Sequence, residues 1–275
     1  VITLVAKIQS EFGIKVPFEV VFRRPTIRLI AEYIQKENDG KEAACALLNS
    51  ERNKNIFAFP PILTMGFVYR ALSESINSHS VYAMDFVDRK DIISYYADEI
   101  AKIQGNNEPI VLAGHSAGGN IAVEVAKELF KKGYQVSDII LMDSYYINES
   151  MKGYVMPTHK EEYIKNLLEH MASMYPDKVG IREQFDRYMT ERITKYFDVL
   201  DTLTISERIP SRIHFISSTG DIEYKEFLRT DMSKWSEATS IGLQKYQGFG
   251  THDEMLYGEN ALKNAKLVEA ILKDC

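Results

Sequence analysis

With 275 residues, 45% of them hydrophobic and 26% charged, the chain has the composition of an ordinary globular protein: one large domain, or one with a small appendage. A formal net charge of −6 gives no electrostatic reason to expect nucleic acid as a partner, since binding a phosphate backbone usually takes a basic face or stripe. No apolar run approaches the roughly 20 residues of a membrane helix and no signal pattern opens the chain; two cysteines, Cys45 and Cys275, expected in exposed or terminal positions, are too few for a disulfide framework, so a cytoplasmic location is expected.

Residues 1–38 read as a separate helical piece. Val1, Leu4, Val5, Ile8 and Phe12 share one helical face, and Gly13 ends the run. Pro25-Thr26 opens a second helix with Ile27, Ile30 and Ile34 on one side. The sequence then turns polar and small, which predicts a linker over 39–54. From residue 55 onward short strands alternate with helices. Strands are expected over 56–59, 81–86, 110–112, 138–142, 212–217 and 243–246, and helices over 66–76, 91–104, 120–132 and 259–272. Near-continuous apolar strands in such an alternation imply a mostly parallel sheet covered on both faces.

The alternation breaks over about 148–206, where helical stripes stand alone: Ile164, Leu167, Leu168 and Met171, then Phe185, Met189, Ile193, Tyr196 and Leu200. Five of the ten methionines lie here, giving an adaptable apolar surface. A helical insertion over the C-terminal ends of the strands reads as a substrate lid, with Leu167, Met171 and Met189 on its apolar side. Plain packing of these helices onto the sheet is the alternative.

Gly114-His115-Ser116-Ala117-Gly118 directly follows the strand Ile110-Val111-Leu112 and directly precedes a helix with apolar residues at 122, 125, 126 and 129. A serine hydroxyl is a weak nucleophile, so chemistry needs it presented on a sharp strand-to-helix turn beside a base, and flanking glycines permit that turn. This context singles out Ser116 as a nucleophile and, with the alternation, makes an α/β-hydrolase pattern. Of six histidines, His252, in Gly248-Phe249-Gly250-Thr251-His252 between the last strand and last helix, stands where that fold's Ser, Asp, His order places the base. His115 is held by the turn itself, His214 sits in a strand as a core residue, and His79, His159 and His170 lie in polar or inserted segments without fixed surroundings. The orienting acid is either Asp143, immediately after the strand 138–142, or Asp221, beyond the strand ending at Ser217; spacing alone does not choose. Ala117 and Ile62 are the expected backbone N–H donors of an oxyanion hole, because Pro60 and Pro61 have no N–H to give. No metal ligand set is expected.

Phe57-Ala58-Phe59-Pro60-Pro61-Ile62, Gly114-His115-Ser116-Ala117-Gly118-Gly119-Asn120, Ile140-Leu141-Met142-Asp143-Ser144-Tyr145 and Gly248-Phe249-Gly250-Thr251-His252-Asp253-Glu254-Met255-Leu256 resemble the terminal thioesterase domains of non-ribosomal peptide synthetases. Residues 1–38 resemble the second half of a peptidyl carrier domain, with Phe22, Pro25-Thr26-Ile27 and Ala31-Glu32-Tyr33-Ile34 in its late helices. The resemblance implies a carrier fragment over 1–38, a linker over 39–54 and a thioesterase over 55–275, and it selects Asp143 as the acid. It also implies an activity: a peptide or lipopeptide thioester passes from carrier to Ser116 and leaves by hydrolysis or macrocyclisation. The upstream carrier and synthetase modules are the implied partners, and the substrate arrives on the carrier's 4′-phosphopantetheine while the thioesterase itself binds no cofactor. Two departures stand out. The carrier's Gly-Gly-x-Ser motif would fall just before Val1, so this chain is not expected to bear the arm itself. Where several relatives carry basic residues for the arm after the acid strand, this chain has Tyr145-Tyr146-Ile147. Competing readings are a proofreading thioesterase that clears misprimed carriers, a lipase or carboxylesterase, and a non-catalytic carrier-docking module.

Overall fold

The computed structural model of the chain describes residues 2–12, 16, 20–21, 26–35, 45–62, 64–105, 108–146, 164–166, 169, 181–203, 207–219 and 232–273. One sheet of seven strands organises it: β1 (Cys45–Leu47), β2 (Lys54–Phe59), β3 (His79–Met84), β4 (Ile110–His115), β5 (Val136–Met142), β6 (Arg212–Ser217) and β7 (Gly242–Gln247). The spatial order is β1-β3-β2-β4-β5-β6-β7, parallel throughout except at β1, which runs antiparallel to β3. The helices are α1 (Ile2–Phe12), α2 (Ile27–Gln35), α3 (Arg70–Ser73), α4 (Ile92–Ile103), α5 (Gly118–Lys131), α6 (Ile181–Thr202) and α7 (Gly258–Lys273).

Both phases of the period-two alternation along the central strands are apolar, and this forces a layer of helices onto each face. Phe57, Phe59, Leu112, Leu141, Ile213 and Phe215 face one way, into a cluster with Tyr96 and Ile100 of α4, Val125 and Leu129 of α5, and Ile193 of α6. Ile56, Ala58, Val111, Ala113, Ile140 and Ile216 face the other way, against Leu72 of α3 and Val268 and Leu272 of α7. Each such large side chain removed from water contributes about 1.5–3 kcal/mol. After β2 the chain crosses to β3 on one side and returns to β4 on the other. The crevice between the C-terminal ends of β2 and β4 is therefore the switch point at which open α/β sheets bind ligands.

At the N-terminus, Val5, Ile8, Val21 and Ile30 join the first cluster, and α1 packs against α6. The apolar stripes expected there are only partly covered, since Phe12 and Ile27 are exposed. The stretch read as a linker also differs: Cys45–Leu47 forms the edge strand β1. Asn49 fastens it, its Nδ2 donating to the carbonyls of Ser73, Ile76 and His79 while its Oδ1 accepts from Val81 N–H at 2.8 Å. Three apolar residues in register with a neighbour suffice for a strand, and this is too short to show as periodicity. Cys45 is half-buried in β1 rather than exposed; burial, with Glu99 and Asp85 nearby, pushes its thiol up to about 12. Cys275 lies outside the described residues. Among the described residues, no helix is long and apolar enough to cross a membrane.

Candidate active site

β4 ends at His115 and α5 begins at Gly118, so the chain reverses within two residues, and Ser116 takes φ +54° to do it. Ser116 N–H donates to the Met142 carbonyl at 3.0 Å, which ties the turn to β5. The turn is tight enough that a Cβ on Gly114 would lie 2.4 Å from the Gly118 carbonyl carbon, and one on Gly118 would lie 2.3 Å from the Phe59 carbonyl oxygen. These glycines therefore let strand, helix and the end of β2 approach one another. Among the described non-glycine residues, only Ser116 and Asp143 have positive φ. Such backbone costs on the order of 1–3 kcal/mol per residue and persists where surrounding structure imposes it. Ser116 is only 8% exposed, more enclosed than the sequence implied, because the turn is packed between neighbouring strand ends.

Asp143 (φ +46°) follows β5, its N–H donating to the Ile216 carbonyl at 2.8 Å. Its carboxylate is almost fully buried and accepts three hydrogen bonds: Ser218 N–H to Oδ1 at 3.0 Å, Ser218 Oγ to Oδ2 at 2.8 Å, and His252 Nδ1 to Oδ2 at 2.8 Å. Burial alone would raise its pKa; the bonds from His252 and Ser218 outweigh that and hold it down to about 2. An ionised Asp143 fixes the His252 proton on Nδ1 and leaves Nε2 as the ring's basic nitrogen. The His252 loop is rigid for its own reasons. Buried Asn264 of α7 accepts from Phe249 N–H at 2.9 Å and donates to the carbonyls of Phe249 and Met255, each at 2.9 Å. Gly250 turns the chain at φ +87°. The Tyr145 ring stacks on His252 at 5.8 Å between centroids and 19° between planes.

His115, beside the serine, packs against His252. Its ring lies 4.7 Å from that of His252, and its Nε2 donates to the His252 carbonyl at 2.9 Å. Burial, then the nearby His252, lowers its pKa to about 3, so it is neutral. The unfolded chain, titrating near 6.5, takes up a proton between pH 6.5 and 3 that the folded state refuses. His115 thus withdraws stability as pH falls through that window, by up to about 1.4 kcal/mol per pH unit. His115→Phe is expected to flatten the fall in unfolding free energy between pH 6.5 and 4, read by urea titration. Parallel pH profiles for the variant and the parent would contradict this.

The loop after β2 crosses the mouth of the same crevice. Tyr69 OH donates to the Phe59 carbonyl at 2.7 Å and accepts from His115 N–H at 2.8 Å, joining this loop to the serine turn. Thr64 N–H donates to the Pro61 carbonyl at 3.3 Å, closing a turn over 61–64. In a trans peptide the N–H lies opposite the preceding carbonyl, so the Ile62 N–H points out of that turn. From α6, Tyr196 OH donates to the Pro60 carbonyl at 2.6 Å, and the Arg192 guanidinium donates to the carbonyls of Ile62 and Thr64.

The fold thus gathers Ser116, Ala117, Ile62, Asp143 and His252 around the C-terminal ends of β2, β4, β5 and β7. His214 is a core residue as expected, its Nε2 2.8 Å from Asp138 Oδ1. His79 differs from expectation: it is buried in β3 with Nδ1 2.6 Å from Ser78 Oγ. Asp221, His159, His170, Leu167 and Met171 lie outside the described residues. Met189 is 1% exposed, in the core cluster with Ile193 and Tyr196. Sequence reasoning did not single out Ser218, Tyr69 or Arg192 and read Tyr196 only as part of an apolar stripe, because the groups each one holds lie far away in the chain.

A mostly parallel sheet with a positive-φ serine between β4 and α5, and an aspartate–histidine pair beyond β5 and β7, is an α/β-hydrolase architecture. Residues 54–275 match the thioesterase domain family, and residues 1–34 match the phosphopantetheine attachment site family. The chain belongs to the thioesterase domain family and is a hydrolase-class enzyme, with part of a phosphopantetheine carrier ahead of it. It is 31% identical over 280 residues to bacitracin synthase 3 of Bacillus licheniformis, covering 99% of this chain and 4% of that protein. It is 29% identical over 267 residues to surfactin synthase subunit 3 of Bacillus subtilis (strain 168), covering 97% of this chain and 20% of that protein. The chain therefore spans only a small part of these relatives' length. Among solved structures it is similar to the thioesterase domain SrfTE, described for the cyclization of the lipopeptide antibiotic surfactin: TM-score 0.69, 28% identity, 85% of this chain and 98% of that one.

Proposed function

We propose that this chain releases a finished peptide or lipopeptide from a non-ribosomal peptide synthetase. Residues 1–38 are the end of the peptidyl carrier, 39–54 connect it to the thioesterase and contribute the edge strand β1, and 55–275 are the rest of the thioesterase. The peptide arrives as a thioester on the phosphopantetheine of the synthetase's peptidyl carrier in the cytoplasm, and the thioesterase binds no cofactor of its own. Ser116 Oγ attacks the thioester carbonyl while His252 Nε2 takes its proton, and Asp143 holds the ring and stabilises the imidazolium. The developing oxyanion is met by the N–H groups of Ala117 and Ile62. The C–S bond breaks, the proton passes from His252 to the departing thiol, and the peptide is left as a Ser116 ester. Water, or an amine or hydroxyl of the same peptide, then attacks that ester through His252 as base. The C–O bond breaks, Oγ regains its proton, and a linear acid or a macrocycle departs.

The observation that carries this reading is the 2.8 Å bond between His252 Nδ1 and a buried, three-fold hydrogen-bonded Asp143, beside a positive-φ serine in a thioesterase-family chain. The match of residues 1–34 to a carrier family favours a fused releasing domain over a free-standing proofreading enzyme. Incubation with a synthetic peptidyl thioester tests it, since macrocycle and linear acid differ by the mass of one water. A protein that leaves the thioester intact and resists labelling by a fluorophosphonate would return the docking-module reading.

Segment 148–206 is proposed as the lid that sets the product ratio, because both products come from one ester and the triad does not choose between them. A water-excluding apolar roof lengthens the interval in which the peptide folds onto its own carbonyl. Leu167→Asp or Met171→Asp is expected to shift product from macrocycle toward linear acid at unchanged Ser116 acylation. Proportional loss of both products would make the segment scaffold. Met189 is a poor probe, because a charge at a position 1% exposed would destabilise the core.

A further inference from the structure

We propose that Arg192 and Tyr196, one turn apart on α6, are positioning residues that hold the oxyanion loop in its working shape. The inference rests on the reading above, in which the Ile62 N–H meets the oxyanion.

Residues four apart on a helix share a face, and this pair aims at one short loop. Tyr196 OH holds the Pro60 carbonyl at 2.6 Å, and Arg192 holds the carbonyls of Ile62 and Thr64. With Thr64 N–H on the Pro61 carbonyl, every described carbonyl from Pro60 to Thr64 is bound on the protein side. Peptide planes fixed at their oxygens have their N–H groups fixed at the opposite edge, and this is what preorganising a backbone donor requires. Prolines at 60 and 61 stiffen the approach but, having no N–H, leave the loop without anchors of its own on that side.

Arg192 is an unusual residue to find here unless the loop needs it. It is 5% exposed and its Nε has no hydrogen-bond partner, while the buried Asp85, which accepts from Gly66 N–H, favours its charged form through space. Its guanidinium lies 5.6 Å from the centroid of Phe86 and 5.8 Å from that of Tyr196. Burying a cation against carbonyls and ring faces is strongly unfavourable relative to a hydrophobic side chain of similar volume. Packing α6 onto the core asks only for the latter, and neighbouring Met189 and Ile193 already supply it. What a methionine at 192 could not supply is the double donation to the loop. Because α6 belongs to the inserted segment and also packs on α1, this contact makes the shape of the oxyanion hole depend on the seating of that segment.

The test uses Arg192→Met and Tyr196→Phe in the whole chain, the second removing a single hydroxyl. Three quantities are read: kcat and KM for a peptidyl thioester, affinity for a peptide boronate that forms a tetrahedral anion on Ser116, and affinity for the matching non-hydrolysable amide. For both variants kcat is expected to fall about ten- to hundredfold with KM little changed. Boronate affinity should fall in step while amide affinity and thermal midpoint stay near the parent's. Arg192→Lys, with one point donor, should recover part of the loss. Parent-like kcat, or boronate and amide affinities that fall together, overturns the positioning role. An inactive parent that fluorophosphonate does not label overturns the catalytic reading instead, so the two failures are distinguishable.

Discussion

Ser116→Ala is expected to slow release of a peptidyl thioester by about 10⁶-fold and Asp143→Asn by about 10⁴-fold, and the double variant to be no slower than Ser116→Ala alone. The serine value follows from losing the acyl-enzyme route. The aspartate value follows from hydrogen-bond direction. Ser218 N–H donates to Oδ1, and both Ser218 Oγ and His252 Nδ1 face Oδ2. A backbone N–H has no alternative but to donate, so an asparagine must turn its oxygen to Ser218 and its NH₂ to His252. Nδ1 then becomes the acceptor and the ring proton moves to Nε2, the nitrogen that must take the serine proton. The fold supplies a control. Asp143 titrates at about 2 against an ordinary 3.8, so its ionised form contributes stability above pH 4 that is lost as pH falls toward 2. Asp143→Asn should remove that acid limb while leaving the secondary structure intact. Single-turnover rates decide the assignment: Asp143→Asn within tenfold of the parent, with Asp221→Asn crippled, would move the acid to the other strand.

What the sequence made legible was local. Gly114-x-Ser116-x-Gly118 between an apolar strand and a periodic helix encodes the turn, because only that composition satisfies so close an approach. His252 was legible from its place before the last helix. Asp143 was not separable from Asp221 by spacing, and it was resemblance that selected it; its positive φ and the grip of Ser218 come from β5 and β6 lying side by side, which no single segment encodes. The edge strand Cys45–Leu47 was hidden because three residues carry no periodicity, and its partner His79–Met84 lies far along the chain. Tyr196 was read only as part of an apolar stripe and Arg192 was not singled out, since nothing in their neighbourhood shows that the opposite party is a row of backbone carbonyls. The stripe Met189, Ile193, Tyr196 and Leu200 did mark the face of α6 that is buried. It did not mark what that face holds.

Gly118→Ala is expected to cost about 2–4 kcal/mol of stability and at least two orders of magnitude in turnover, whereas Gly105→Ala should change neither appreciably. The added methyl on Gly118 would sit 2.3 Å from the Phe59 carbonyl oxygen and 2.9 Å from that of Pro60, both backbone atoms that no rotamer change can move aside. A Cβ on Gly105 meets nothing within 4 Å. To relieve the clash, the start of α5 must retreat from the end of β2. That motion carries Ser116 and the Ala117 amide away from the loop bearing Ile62, because turn and helix are one continuous piece of backbone. It also strains the link from Tyr69 OH to Phe59 O and His115 N–H, which holds the two strand ends together. Stability and chemistry should therefore fall together, unlike the loss in Asp143→Asn, which leaves packing untouched. Thermal midpoints and single-turnover rates of both glycine variants give the comparison. A Gly118→Ala protein that melts and turns over like the parent would mean that the close approach of α5 to β2 is not what the serine turn requires.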